Sequence, residues 1–156
     1  MGSRVAPVRI ERLSLAAAGL SLGAGLIHLS VIPSHIEEYW LFGVLFGIAA
    51  ALQFAWAEAV RRLPDHRRLL LAGAALNAGL VAVWIASRTT GLPIGGDPGV
   101  PEPVGLRDVV ATVDELCLLL AVALSMARTS FPPLMPIAWA LALASVLLAV
   151  VPGGHR

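Results

Sequence analysis

His28, His35, Glu37 and Glu38 stand close together in the stretch Gly25 to Trp40, at the point where one long apolar run gives way to the next. Imidazole nitrogen and carboxylate oxygen are the donors of zinc, iron and copper sites. They are also the groups that exchange protons. Much further along, Asp108, Asp114 and Glu115 form a second acidic group, with Arg88 and Arg107 preceding it. The chemistry these residues suggest is a transition-metal site with His28, His35, Glu38 and Glu115 as ligands. Gln53, Asn77, Arg88, Asp108 and Asp114 would orient those ligands or relay protons. A mixed nitrogen and carboxylate set suits zinc or iron better than Cu(I), which prefers sulfur. Cys117 is the only cysteine, so the site has no thiolate pair to draw on.

The elements that must position these side chains are membrane spans. The chain of 156 residues is 58% hydrophobic and 13% charged, whereas soluble domains are about 45–50% apolar and about 25% charged. Ionisable groups at bilayer depth are expensive, so those present suggest a site with partners on neighbouring helices. Every basic side chain other than histidine is an arginine. Without lysine, Schiff-base cofactors such as retinal and pyridoxal phosphate are excluded. No nucleotide-binding motif is present, and nothing points to nucleic acid.

Spans of about twenty apolar residues are predicted at about 13–32, 36–60, 69–87, 108–127 and 134–151, an all-α bundle of five transmembrane helices in one membrane domain. Pro33-Ser34 is expected to break the first helix, with Ser34 capping the second and Glu37 completing a capping box. His28 shares a helix face with Ser21, Ala24 and Gly25, and points into the bundle. From His35 and Glu38 an inward stripe runs through Phe42, Leu45, Ala49, Gln53 and Trp56. Gly19 with Gly23, and Gly43 with Gly47, are small-residue pairs that permit close helix approach. Glu58 reads as a helix-surface partner of Arg61 or Arg62, and His66 as a loop residue. Residues 88–107, rich in glycine and proline, form one long external loop that is expected to cap the bundle. Either Asp114 or Glu115 faces the interior. The bland reading is an ion pair with Arg88 or Arg107.

Arginines cluster before span one, between spans two and three, and after span four at Arg128; the other side carries Arg88, Arg107 and Arg156. The positive-inside rule then places the N-terminus in the cytoplasm and the C-terminus outside, in the plasma membrane. All the unusual polar residues collect at one end. The pattern His-x6-His-x2-Glu-Tyr-Trp, followed by Ser-Arg-Thr-Thr-Gly-Leu-Pro-Ile-Gly over Ser87 to Gly95, resembles a group of small uncharacterised bacterial multi-pass membrane proteins. That resemblance covers His28 to Glu115 and implies no activity.

Three functions fit. A metal ion with an open coordination position could act on a lipid-soluble substrate, and a closed one would be structural. Alternatively, the chain is an accessory subunit of a larger membrane complex, or a homo-oligomer, with the polar set as a hydrogen-bonded lock. The third is a proton or cation relay through Glu115, Asp114 and the histidines, although five spans without an internal repeat make a poor transporter.

Overall fold

A computed structural model describes residues 5–64, 66–127 and 135–151. It contains five helices: α1 Val5–Glu38, α2 Trp40–Arg62, α3 Arg67–Thr89, α4 Leu106–Ala127 and α5 Met135–Val150. Among the described residues there is no strand. The Glu11–Glu38 part of α1, and α2, α3 and α4, are each long and apolar enough to cross a membrane. The protein is therefore a membrane-embedded helical bundle. At 1.5 Å per residue α5 is about 24 Å long, short of a hydrocarbon core of about 30 Å. Arg4, Arg128, Arg156 and Leu134, where the fifth predicted span begins, lie outside the described residues.

The first helix does not end at Pro33. It continues to Glu38, and the only residue between α1 and α2 is Tyr39, extended at φ −158° and ψ 112°. Proline is tolerated in a membrane helix although it leaves the carbonyl four residues back, here that of Leu29, without its helical donor. Here the Ser34 hydroxyl donates to the Val31 carbonyl at 2.9 Å, and His35 Nδ1 reaches the same oxygen at 2.9 Å. Ser34 is thus spent inside α1 and caps nothing, while Glu37 is exposed. His35 and Glu38 therefore lie on α1 rather than at the start of α2.

α1 is the central helix and packs against α2, α4 and α5, while α3 leans on α4 and α2. Alanines and glycines let it do so: Ala16, Ala17, Ala18 and Ala24 are buried. A Cβ on Gly43 would meet the Ile36 side chain, so the α1–α2 hairpin closes on that glycine. The end of the bundle far from residues 90–105 holds the apolar core, built from Ala17, Leu20, Trp56, Val60, Leu70 and Leu118 among others. Leu52, Val83, Leu120 and Leu143 are exposed, as side chains facing lipid are.

Trp56 joins α2 to α3 at that apolar end. Its indole N–H donates to the Leu69 carbonyl at 2.7 Å, and its ring occupies the space a side chain at Gly73 would need, an ideal Cβ there clashing with the indole ring. Gly73→Ala should therefore lower unfolding free energy in detergent by about 1–2 kcal/mol, the scale of an overpacked core. An unchanged melting temperature would show that the indole has somewhere else to go.

Residues 90–105 join α3 to α4 without a helix. The segment folds back on itself: Gly99 N–H donates to the Leu92 carbonyl at 2.8 Å, and Glu102 N–H to the Ser87 carbonyl at 2.9 Å. Gly91 sits at φ +70° with its missing Cβ against Gly99 and Val100 backbone, so only glycine fits there.

Candidate functional site

In the half of the bundle nearer this segment, four helices each contribute a buried polar side chain to one cluster: His28 from α1, Gln53 from α2, Asn77 from α3 and Glu115 from α4. Gln53 and Asn77 are 0% exposed, Glu115 2% and His28 8%. The directions of their hydrogen bonds follow from one fixed acceptor. The Gly73 carbonyl can only accept, so Asn77 presents Nδ2 to it at 2.8 Å and its own Oδ1 to Gln53. Gln53 answers with Nε2, which donates to Asn77 Oδ1 at 3.1 Å and to Glu115 Oε1 at 3.2 Å. That turns Gln53 Oε1 toward His28, whose Nδ1–H must donate to it at 3.1 Å. On α1, Ser21 Oγ donates to the Gln53 backbone carbonyl at 3.1 Å and holds the hairpin at the same level.

The consequence falls on the other nitrogen of His28. With Nδ1 committed as a donor, the neutral ring carries its lone pair on Nε2, and Nε2 faces Glu115 Oε1 at 3.7 Å. That distance is too long for a hydrogen bond. Two groups with lone pairs thus face each other across a short gap inside the bundle. A buried carboxylate needs a proton or a cation, and among the described residues no arginine supplies it. Arg88 is taken by Glu102 and by Asp108, the latter at 2.7 Å. Arg107 donates to the Val151 carbonyl at 2.5 Å. The ion-pair reading of the inward carboxylate therefore does not describe Glu115.

Both members of the Asp114-Glu115 pair are buried, on different sides of α4. Glu115 faces Gln53 and His28. Asp114 faces α1 and α5, where Ser145 Oγ lies 2.5 Å from Oδ2 and the missing Cβ of Gly23 would be 2.7 Å from the same oxygen. Asp114 Oδ1 has no partner among the described residues.

His28 and Glu115 also line a cavity of about 130 Å³ that extends toward the 90–105 segment. Its walls are Phe42, Phe46, Ala49, Leu80 and Trp84 among others, and its far end holds Arg88, Glu102 and Asp108. Asp108 Oδ2 also accepts from Gly105 N–H at 3.0 Å, so one arginine and one aspartate tie α3, α4 and the intervening segment together.

Of the four expected ligands the structure brings two together. His35 lines the same cavity, but it lies two helical turns, about 10 Å, beyond His28 on one continuous helix. The Phe46 ring packs against both imidazoles, 5.3 Å from the His28 ring and 4.3 Å from the His35 ring. Glu38 is exposed at the end of α1. Among the described residues no three His, Cys, Asp or Glu side chains converge on one point. Gln53 and Asn77 hold the pair in orientation, and Asp108 belongs to the Arg88 latch. Glu58 pairs with Arg61 and Arg62 on the surface of α2, and His66 Nδ1 caps α3 by accepting from Leu69 N–H. The sequence places Glu102 with Asp97 among the polar residues of this end but not as the partner of Arg88, since nothing in a glycine- and proline-rich run marks which acid folds back. No family model, curated protein or solved structure matches this chain.

Proposed function

We propose that the protein is an integral membrane cation-binding protein in which His28 Nε2 and the Glu115 carboxylate are the two protein ligands of a transition-metal ion, with the remaining coordination positions facing the cavity. The observation that carries this reading is the lone pair on Nε2 set against a buried carboxylate that no arginine among the described residues meets. A histidine that ligates a metal through one nitrogen almost always has the other held by a hydrogen bond, as Gln53 holds Nδ1. Two ligands each about 2.1 Å from a tetrahedral zinc lie about 3.4 Å apart, close to the 3.7 Å between Nε2 and Oε1. In this reading α5 also crosses the bilayer, the N-terminus is cytoplasmic, and the 90–105 segment covers the site from outside.

A second reading is favoured by one observation: the single amide of Gln53 bridges α1, α3 and α4. The cluster would then be a lock, and the chain an accessory subunit. Metal analysis by mass spectrometry separates the two. Detergent-purified wild type should carry close to one equivalent of iron, copper or zinc. His28→Ala and Glu115→Gln should each lower that at least tenfold, with helix content unchanged by circular dichroism. Metal-free wild type would leave the lock.

A further inference from the structure

The cavity has a second way in. Leu45 on α2 and Val83 on α3 line it and are also 48% and 55% exposed. Nothing among the described residues covers them, so on a membrane-spanning helix they face lipid. α2 and α3 are held together by Trp56 at the apolar end and by Gln53 and Asn77 in the middle. Beyond Asn77 the cavity lies between them, with Phe42, Leu45 and Phe46 on one wall and Leu80, Val83 and Trp84 on the other. The far end, by contrast, is latched by Arg88. A ligand approaching sideways through the bilayer meets aliphatic and aromatic side chains; one approaching from water meets an ion-paired latch.

Volume, wall and floor together restrict what fits. An engineered protein cavity of about 150 Å³ takes up benzene, so a cavity of about 130 Å³ suits one six-membered ring. With a cation held by His28 Nε2 and one Glu115 oxygen, the floor presents the cation and the second carboxylate oxygen, an acceptor that a carbonyl or ether oxygen leaves unpaired. A hydroxyl answers both, giving its hydrogen to that carboxylate oxygen and a lone pair to the cation. We infer that the cavity binds the ring of a neutral phenol or quinol with an apolar tail, which enters from the bilayer between Leu45 and Val83 and sets its hydroxyl against His28 and Glu115. This deepens the proposed reading of the same site and rests on it for the cation, though not for the ring.

The test uses full-length protein in lipid nanodiscs, with a fluorinated 4-alkylphenol followed by fluorine NMR against protein-free nanodiscs, and the matching methyl ether as a probe lacking the donor hydrogen. Saturable phenol binding is expected, with the ether about tenfold weaker because the remaining acceptor oxygen of Glu115 goes unpaired. Leu45→Trp/Val83→Phe fills the entrance from two lipid-facing positions and should reduce phenol binding about tenfold while leaving the melting temperature and the metal content unchanged. Equal binding of phenol and ether, or full binding to the double variant, would overturn the inference. Metal retained without phenol binding removes this inference alone. Phenol binding to a metal-free protein removes the cation reading alone.

Discussion

Gln53→Leu should be the most damaging single substitution in the bundle, lowering unfolding free energy in mixed micelles by about 2–4 kcal/mol. Leucine fills most of the same space, so the loss comes from hydrogen bonds and not from a void. Three buried groups lose their partner together: His28 Nδ1–H, Asn77 Oδ1 and Glu115 Oε1. Interhelical hydrogen bonds in membrane proteins average about 0.6 kcal/mol each. Leaving a buried polar group unsatisfied costs about 1–3 kcal/mol. Three such groups around one position bracket the figure given. Leu52→Ala, on the preceding residue and 49% exposed to the lipid side, serves as the control and should stay within about 0.5 kcal/mol. A Gln53→Leu loss no larger than the control's would mean that His28, Asn77 and Glu115 find other partners, and the chain of donors deduced from the Gly73 carbonyl would fail with it.

If His28 and Glu115 hold a metal as proposed, the same substitution should strip it even where the helices remain folded. Without Gln53 Oε1, nothing fixes which nitrogen of His28 carries the hydrogen, and Nε2 is no longer kept free. Supporting hydrogen bonds of this kind are worth about 10–100-fold in metal affinity. Stability and affinity thus share one side chain, and metal titration of folded Gln53→Leu separates them.

Much of this site could be read from the sequence because it depends on the phase of single, uninterrupted helices. Ser21, Ala24 and His28 recur at helical spacing and are buried together, and so do Ala49, Gln53 and Trp56. What the sequence misplaced is the corner between α1 and α2. Pro33-Ser34 with Glu37 fits a capping box, yet a capping box is a local pattern, and in a bilayer the serine and histidine after a proline can serve the helix instead. Moving the corner six residues, from Pro33 to Tyr39, puts His35 and Glu38 on the helix that already carries His28. His28 and His35 then stand seven residues, about 10 Å, apart on one helix, Glu38 is exposed at its end, and of the four expected ligands the structure brings together only His28 and Glu115. The partner of Arg88 was hidden for a different reason. Helical periodicity stops at Thr90, and the return of Glu102 depends on turns at Gly91 and Gly99, both with positive φ, whose combined direction no spacing rule supplies.

Arg88→Leu is expected to release the far end of the cavity. The guanidinium side chain is 11% exposed and holds the Glu102 and Asp108 carboxylates, which are 30% and 23% exposed. Removing it leaves two neighbouring, partly buried negative charges without a cation. Breaking a fully buried pair costs about 3–5 kcal/mol, and partial exposure discounts this to about 2–3 kcal/mol. The damage should be local before it is global. Amides of residues 90–105, above all Glu102 N–H on the Ser87 carbonyl, should exchange hydrogen at least tenfold faster, while those around Leu20 and Leu118 in the apolar core keep their protection. Arg88→Met combined with Glu102→Gln and Asp108→Asn removes the stranded charges along with the cation, and should recover most of the stability without restoring the slow exchange. If the triple variant were no more stable than Arg88→Leu, the loss would lie in the packing of the arginine stem and not in unpaired charge. Phenol binding in the same variants gives the functional half of the result, because a ligand that enters between Leu45 and Val83 should be indifferent to whether the latch is closed.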